Sequence, residues 1–234
     1  RILITGGFGF IGARLGQHLY HAGHSVVLGS RSASHPPEWL PLVKTGKVIW
    51  EDQRSLNGLC KGIEVVVHAA GMNAQECVAN PESALTINGV NTERLLYSAI
   101  KAGVRRFIYL STAHVYASPL TGRISEDNCP TNLHPYATSH LAGENAVLYA
   151  CQHKQIEGVV LRISNGFGAP AHKDINCWML LVNDLCRQVV VNGKMVLKTS
   201  GLQQRDFIPI TELCMVIERF IELIELADLQ AVFN

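Results

Sequence analysis

Apolar residues fall along this chain in two rhythms. In Ile2–Ile4, Ser25–Leu28, Glu64–His68, Arg106–Leu110 and Glu157–Ile163 they run almost without interruption. Continuous apolar runs this short predict strands covered on both faces. Between them, in Phe10–Tyr20, Asn80–Ala102 and the segment opened by Pro135-Tyr136, apolar residues return every three or four positions and predict helices. In Asn80–Ala102 the apolar face is Leu85, Leu95, Leu96 and Ile100, with Asn88 and Asn91 among them. Lys47–Trp50 predicts a short third strand, after a proline-rich loop from His35 to Pro41 that no periodic helix can cross. Strand and helix alternate without repeats, so residues 1–164 predict an α/β domain with a doubly wound parallel sheet. From about Asn165 the rhythm changes. A loop at Ala169–Asp174, a helix at Trp178–Val189, a strand at Met195–Leu197, a helix at Thr211–Leu226 and a last strand at Ala231–Asn234 predict a smaller unit over 165–234.

Composition narrows the class. Of 234 residues, 47% are apolar and 17% charged, which fits a globular chain with a sizeable core. A formal net charge of +1 gives no electrostatic case for nucleic acid or an anionic membrane. No apolar run reaches membrane-spanning length, and the first residues read as a strand, so no signal peptide is visible. Seven cysteines, an odd number without a C-x-x-C pair, point to reduced thiols and a cytoplasmic setting. Ten histidines show no H-E-x-x-H or similar spacing, so no metal is expected.

The first strand breaks into Thr5-Gly6-Gly7-Phe8-Gly9-Phe10-Ile11-Gly12 and then into a helix. That order suits a phosphate-binding turn. Gly6 serves the sharp exit from the strand, Gly9 lets backbone N–H groups approach a pyrophosphate, and Gly12 lets the helix lie close to the sheet. The positive end of the helix then faces the phosphates, with Phe10 and Ile11 in its first turn. The second strand ends in Gly29-Ser30-Arg31, with no acid to hold ribose hydroxyls. Small residues followed by Arg31 suit a 2′-phosphate, which points to NADP over NAD, while a solvated loop arginine is the alternative.

The spacing T-G-x-x-G-x-x-G resembles the extended short-chain dehydrogenase/reductases, the group of NAD(P)-dependent nucleotide-sugar epimerases and dehydratases. This resemblance implies a Rossmann domain with a smaller C-terminal substrate-binding domain. Members normally continue well beyond the last residue here, so a truncated chain is expected. It implies that Asp52, followed by Gln53, contacts adenine, that Ala69-Ala70-Gly71 lies beside the cofactor and that Asn88 stands behind it. An aspartate after a strand is also a common helix cap, and an asparagine within a helix a common structural hydrogen bonder.

The same resemblance implies a reaction centre of Thr112, Tyr136 and the residue four positions on. Tyrosine exchanges a proton with a sugar hydroxyl while the nicotinamide takes or gives a hydride. The usual lysine holds the ribose and lowers the tyrosine pKa. Here that position is His140. Histidine can donate to a ribose hydroxyl, but with an ordinary pKa near about 6.5 its electrostatic help is expected to be weaker or pH-dependent. Ala113 and His114 stand where sugar dehydratases carry Asp-Glu, which disfavours dehydration. Asn165 and Arg205 match the residues that hold a sugar-nucleotide diphosphate. The expected function is therefore an epimerase or reductase of a nucleotide-linked sugar, or else a catalytically weak or inactive NAD(P)-binding regulator of the same fold. The helices Glu93–Lys101 and Tyr136–Tyr149 resemble those of a family homodimer interface.

Overall fold

The computed structural model describes residues 1–32, 35–224 and 231–234. Its main sheet has seven parallel strands in the order β3-β2-β1-β4-β5-β6-β9. They are β1 (Ile2–Thr5), β2 (Val26–Ser30), β3 (Lys44–Lys47), β4 (Val65–His68), β5 (Arg106–Thr112), β6 (Glu157–Ile163) and β9 (Val232–Phe233). A separate parallel pair joins β7 (Asn165–Phe167) to β8 (Phe207–Pro209). Period-two alternation sorts each strand's side chains between two helical layers. Ile2, Ile4, Val65, Val67, Ile108 and Leu110 pack with α1 (Phe10–His21) and α8 (Ile210–Glu222). Leu3, Val27, Val66, Phe107 and Tyr109 face the layer of α2 (Gln53–Cys60), α5 (Asn91–Lys101) and α6 (Pro135–Gln152). The doubly wound sheet expected from the apolar runs is the observed one.

Three expectations need correction. The third strand is Lys44–Lys47, not Lys47–Trp50. As the sheet's edge strand it carries polar residues on both faces, and the apolar Val48 and Trp50 that suggested a strand instead fill the core beyond its end. The Asn80–Ala102 segment is helical but interrupted: α4 (Pro81–Ala84) passes through a wide turn at Leu85–Val90 with i→i+5 geometry before α5 begins. The inserted residue shifts the helical phase. Leu85 is therefore 49% exposed, although an uninterrupted period would have put it with Leu95 and Leu96. Met195–Leu197 forms no strand; it is exposed and finds no partner strand among the described residues.

The helix expected at Trp178–Val189 begins later, as α7 (Leu181–Asn192), and stops at Gly193, whose φ of +69° closes its C-terminus. The helix expected to reach Leu226 is described to Glu222, and Leu226 lies outside the described residues. Within 165–234, α8 and β9 rejoin the layers of the main sheet, so β7, β8, α7 and their loops are what stands apart from it.

Candidate functional site

The site gathers at the C-terminal ends of β1, β2, β4 and β5, where a parallel sheet presents its connecting loops. Gly6 has φ +66°, and a Cβ there would lie 2.7 Å from the Ala69 carbonyl oxygen. A Cβ on Gly12 would run into the Gly6 carbonyl, so both positions admit only glycine. Gly9 caps α1 without a side-chain hydrogen bond, and no acid occupies the helix's first turn. The first N–H groups of α1 and its positive end are therefore left for an anion. Thr5 hydrogen-bonds His68 Nδ1 at 2.6 Å, which locks β1 to β4 beneath this turn.

At the tip of β2, Ser30 is paired with Lys47 of β3, and Arg31 and Lys47 border one groove with Val48, Trp50 and Glu51. Lys47 is a second cation at this tip, one that the pattern of residues alone marks only as the start of a strand. Asp52 accepts from the Arg54 amide at 2.9 Å and caps α2, its capping alternative. Gln53 Nε2 reaches Ser98 Oγ at 2.6 Å and the Arg94 carbonyl at 3.2 Å, so its side chain ties α2 to α5.

Behind the groove, Asn88 is fully buried. It accepts from the Met72 amide at 2.9 Å and donates to Ser139 Oγ at 3.0 Å. It thus braces the loop after β4 against α6. A Cβ on Gly71 would stand 3.1 Å from Asn88 Oδ1 and 3.8 Å from His140 Nε2, so the loop passes directly over both side chains.

Thr112 ends β5, and Tyr136 and His140 lie one turn apart at the start of α6. The Tyr136 and His140 rings meet edge to face, 4.6 Å between centroids. Burial pushes the Tyr136 phenol pKa up, and the neighbouring Thr112 hydroxyl opposes that rise. Burial pushes His140 down to about 4, so the imidazole is neutral at pH 7. A neutral imidazole brings no positive charge beside the Tyr136 phenol. Tyr109, on the buried face of β5, places its hydroxyl 3.0 Å from His140 Nδ1. The alternation Phe107, Tyr109, Ser111 toward α6 was the signal that could have revealed it.

Asn165 donates to the Asp206 carbonyl at 2.9 Å, which brings the Arg205 segment to the end of β6. Ile163 is paired with Thr112, so Asn165 emerges beside the end of β5 that carries Thr112. Arg205 is exposed and hydrogen-bonds Gln203 Oε1 at 3.0 Å. His114, two residues after Thr112, has its pKa lowered first by burial and then by the Arg205 charge, which places Arg205 on the same rim.

The sequence profile of the NAD dependent epimerase/dehydratase family matches residues 2–234, which include the glycine turn and both Thr112 and Tyr136. The chain belongs to that family. A UDP-glucose 4-epimerase of Azospirillum brasilense is 30% identical over 182 residues, 72% of this chain and 50% of the relative. A dTDP-6-deoxy-L-talose 4-dehydrogenase (NAD(P)(+)) of Kitasatospora kifunensis is 31% identical over 223 residues, 91% of this chain and 67% of the relative. The structure of MoeE5 in complex with UDP-glucuronic acid and NAD superposes with a TM-score of 0.81 at 25% identity, over 99% of this chain and 74% of that one. This family member thus spans half the length of the Azospirillum epimerase. No helix among its described residues is long and apolar enough to cross a membrane.

Proposed function

We propose that the protein is an NAD(P)-dependent epimerase or reductase of a nucleotide-linked sugar. The observation that carries this reading is the meeting of Thr112, Tyr136 and His140 beside a glycine cradle that side chains would fill. The cradle fits a dinucleotide: Gly6, Gly9, Phe10, Ile11 and Gly12 would take its pyrophosphate, Ala69, Ala70 and Gly71 would line its path, and Asp52 with Gln53 would border the adenine end. When bound, the nicotinamide supplies the hydride transfer. Tyr136 exchanges a proton with the sugar hydroxyl, and Thr112 orients that hydroxyl through its own. His140, held by Tyr109 at Nδ1, would offer Nε2 to the ribose, while Asn88 keeps the loop over it in place. Asn165 and Arg205 hold the substrate diphosphate, for which a planar guanidinium is well shaped. Incubation with UDP-, GDP- and dTDP-sugars, with products read by NMR, tests the proposal; no conversion of any of them favours the rival reading.

That rival, an NAD(P)-binding regulator with little catalysis, rests on the neutral His140. A lysine would lower the Tyr136 pKa by its charge, and a neutral imidazole does not. Because burial raises the Tyr136 pKa, native turnover is expected to rise with pH above neutrality, with no inflection near about 6.5 from His140. His140→Lys is expected to raise turnover at pH 7 and move the pH optimum downward. An unchanged optimum would remove the electrostatic explanation.

The cofactor leans to NADP, because the tips of β2 and β3 present Arg31 and Lys47 and no acid ends β2. Charge-assisted contacts contribute about 1.5–3 kcal/mol, so Arg31→Ala is expected to weaken NADP about 10- to 100-fold and leave NAD nearly unchanged. Titration of both nucleotides measures this, and tighter binding of NAD by the native protein overturns the preference. Exposed Tyr97 on α5 and Tyr149 on α6 support a homodimer through these helices.

A further inference from the structure

At the opposite end of the strands, where α1 ends and β2 begins, two histidines meet two glutamates of α8. His24 Nε2 lies 3.2 Å from Glu218 Oε1 and 3.7 Å from Glu222 Oε1. The donor atoms of these three side chains lie within 4.8 Å of one another. His18 Nε2 holds the other Glu218 oxygen at 2.7 Å. Among the described residues, the ion-pair partners of Glu218 and Glu222 are these two histidines alone.

We propose that His24, Glu218 and Glu222 bind a divalent transition metal, zinc or a metal of similar preference, with His18 as the positioning residue. One imidazole and two carboxylates form the three-ligand set that leaves the fourth position of a tetrahedral ion to water. Metal–ligand bonds of about 2.0–2.1 Å place neighbouring tetrahedral donors roughly 3.3 Å apart, close to the two His24 contacts. Glu218 and Glu222 are four residues apart and share one face of α8. Their position opposite His24 is fixed by the packing of Leu15 and Leu19 of α1 with Leu213 and Ile217 of α8 in one core cluster. The site is therefore assembled before any ion arrives. His18 bonded to the second Glu218 oxygen is the outer partner that orients a ligating carboxylate. No local spacing reveals the set, because His24 and Glu218 are separated by 194 residues. Its place, away from the glycine turn, gives the metal the role of a clasp between the first and last described helices of the layer.

The test is calorimetric titration of the tag-free, chelator-treated protein with Zn²⁺, and the visible absorption of Co²⁺ added in its place. One ion per chain, a four-coordinate cobalt spectrum and a raised melting temperature are expected. His24→Ala and Glu222→Gln should each weaken binding at least about tenfold, and His18→Ala less than either. Glu222 is the most exposed of the four, so its variant tests the site even where His24→Ala fails to fold. NAD(P) affinity should be the same in all folded variants. No stoichiometric uptake, or uptake unchanged in Glu222→Gln, overturns the proposal.

Discussion

Tyr136→Phe should remove almost all turnover and leave the folded protein intact. The ring's contact with His140 and the residue's backbone amide, which donates to His134 Nδ1 at 3.1 Å, both survive loss of the hydroxyl, and only the phenol's contact with the Thr112 hydroxyl is lost. The group lost is the proposed proton donor and acceptor for the sugar. General acid–base catalysis contributes typically about 10²–10⁴-fold, so kcat should fall by that factor while KM and the nucleotide dissociation constant change little. The melting temperature should stay within the spread of repeat measurements. Thr112→Val should lower kcat less, because its hydroxyl aids the phenol without exchanging the proton. A Tyr136→Phe protein that retains a tenth or more of native turnover would show that the proton moves through another group, and the role assigned to this phenol would fall.

The sheet was legible because burial on both faces leaves continuous apolar runs, as in Val65–Val67 and Phe107–Leu110. The glycine cradle was legible because the positive φ of Gly6 and the close approaches at Gly6 and Gly12 exclude every side chain there. Other features depend on neighbours that one segment cannot reveal. The β3 edge strand has no apolar signal of its own, so Lys44–Lys47 was passed over in favour of buried Val48 and Trp50. The wide turn at Leu85–Val90 carries no residue signature, yet Leu85 faces outward across it while Asn88 stays buried. The neutrality of His140 arises from its burial, a property of the packed layer rather than of the residue. Asn165 and Arg205 lie 40 positions apart in the chain and approach only through the pairing of β7 with β8.

Breaking the ion pair beneath the reaction centre should cost the fold more than any surface charge. Glu144 is fully buried in α6 and meets Arg162 of β6 at 2.7 Å. Its carboxylate also accepts from Ser111 Oγ, and Arg162 donates to the Tyr116 hydroxyl at 2.7 Å. Glu144→Ala leaves a guanidinium in the interior without its counter-charge, a loss of about 3–5 kcal/mol. With a urea slope of about 1–3 kcal/mol per molar, the unfolding midpoint should fall by one molar or more. Arg105 and Glu64, 3.7 Å apart with half or more of the glutamate exposed, provide the contrast: Glu64→Ala should cost about 1 kcal/mol or less. Replacing both buried partners, Glu144→Leu with Arg162→Met, should recover much of the stability, since an apolar pair carries no desolvation penalty. It should not recover turnover, because Ser111 precedes Thr112 and loses its anchor to α6, the helix that carries Tyr136. A Glu144→Ala midpoint within experimental error of the native value would mean that the pair neither holds α6 to β5 nor sets the distance between the two reacting hydroxyls.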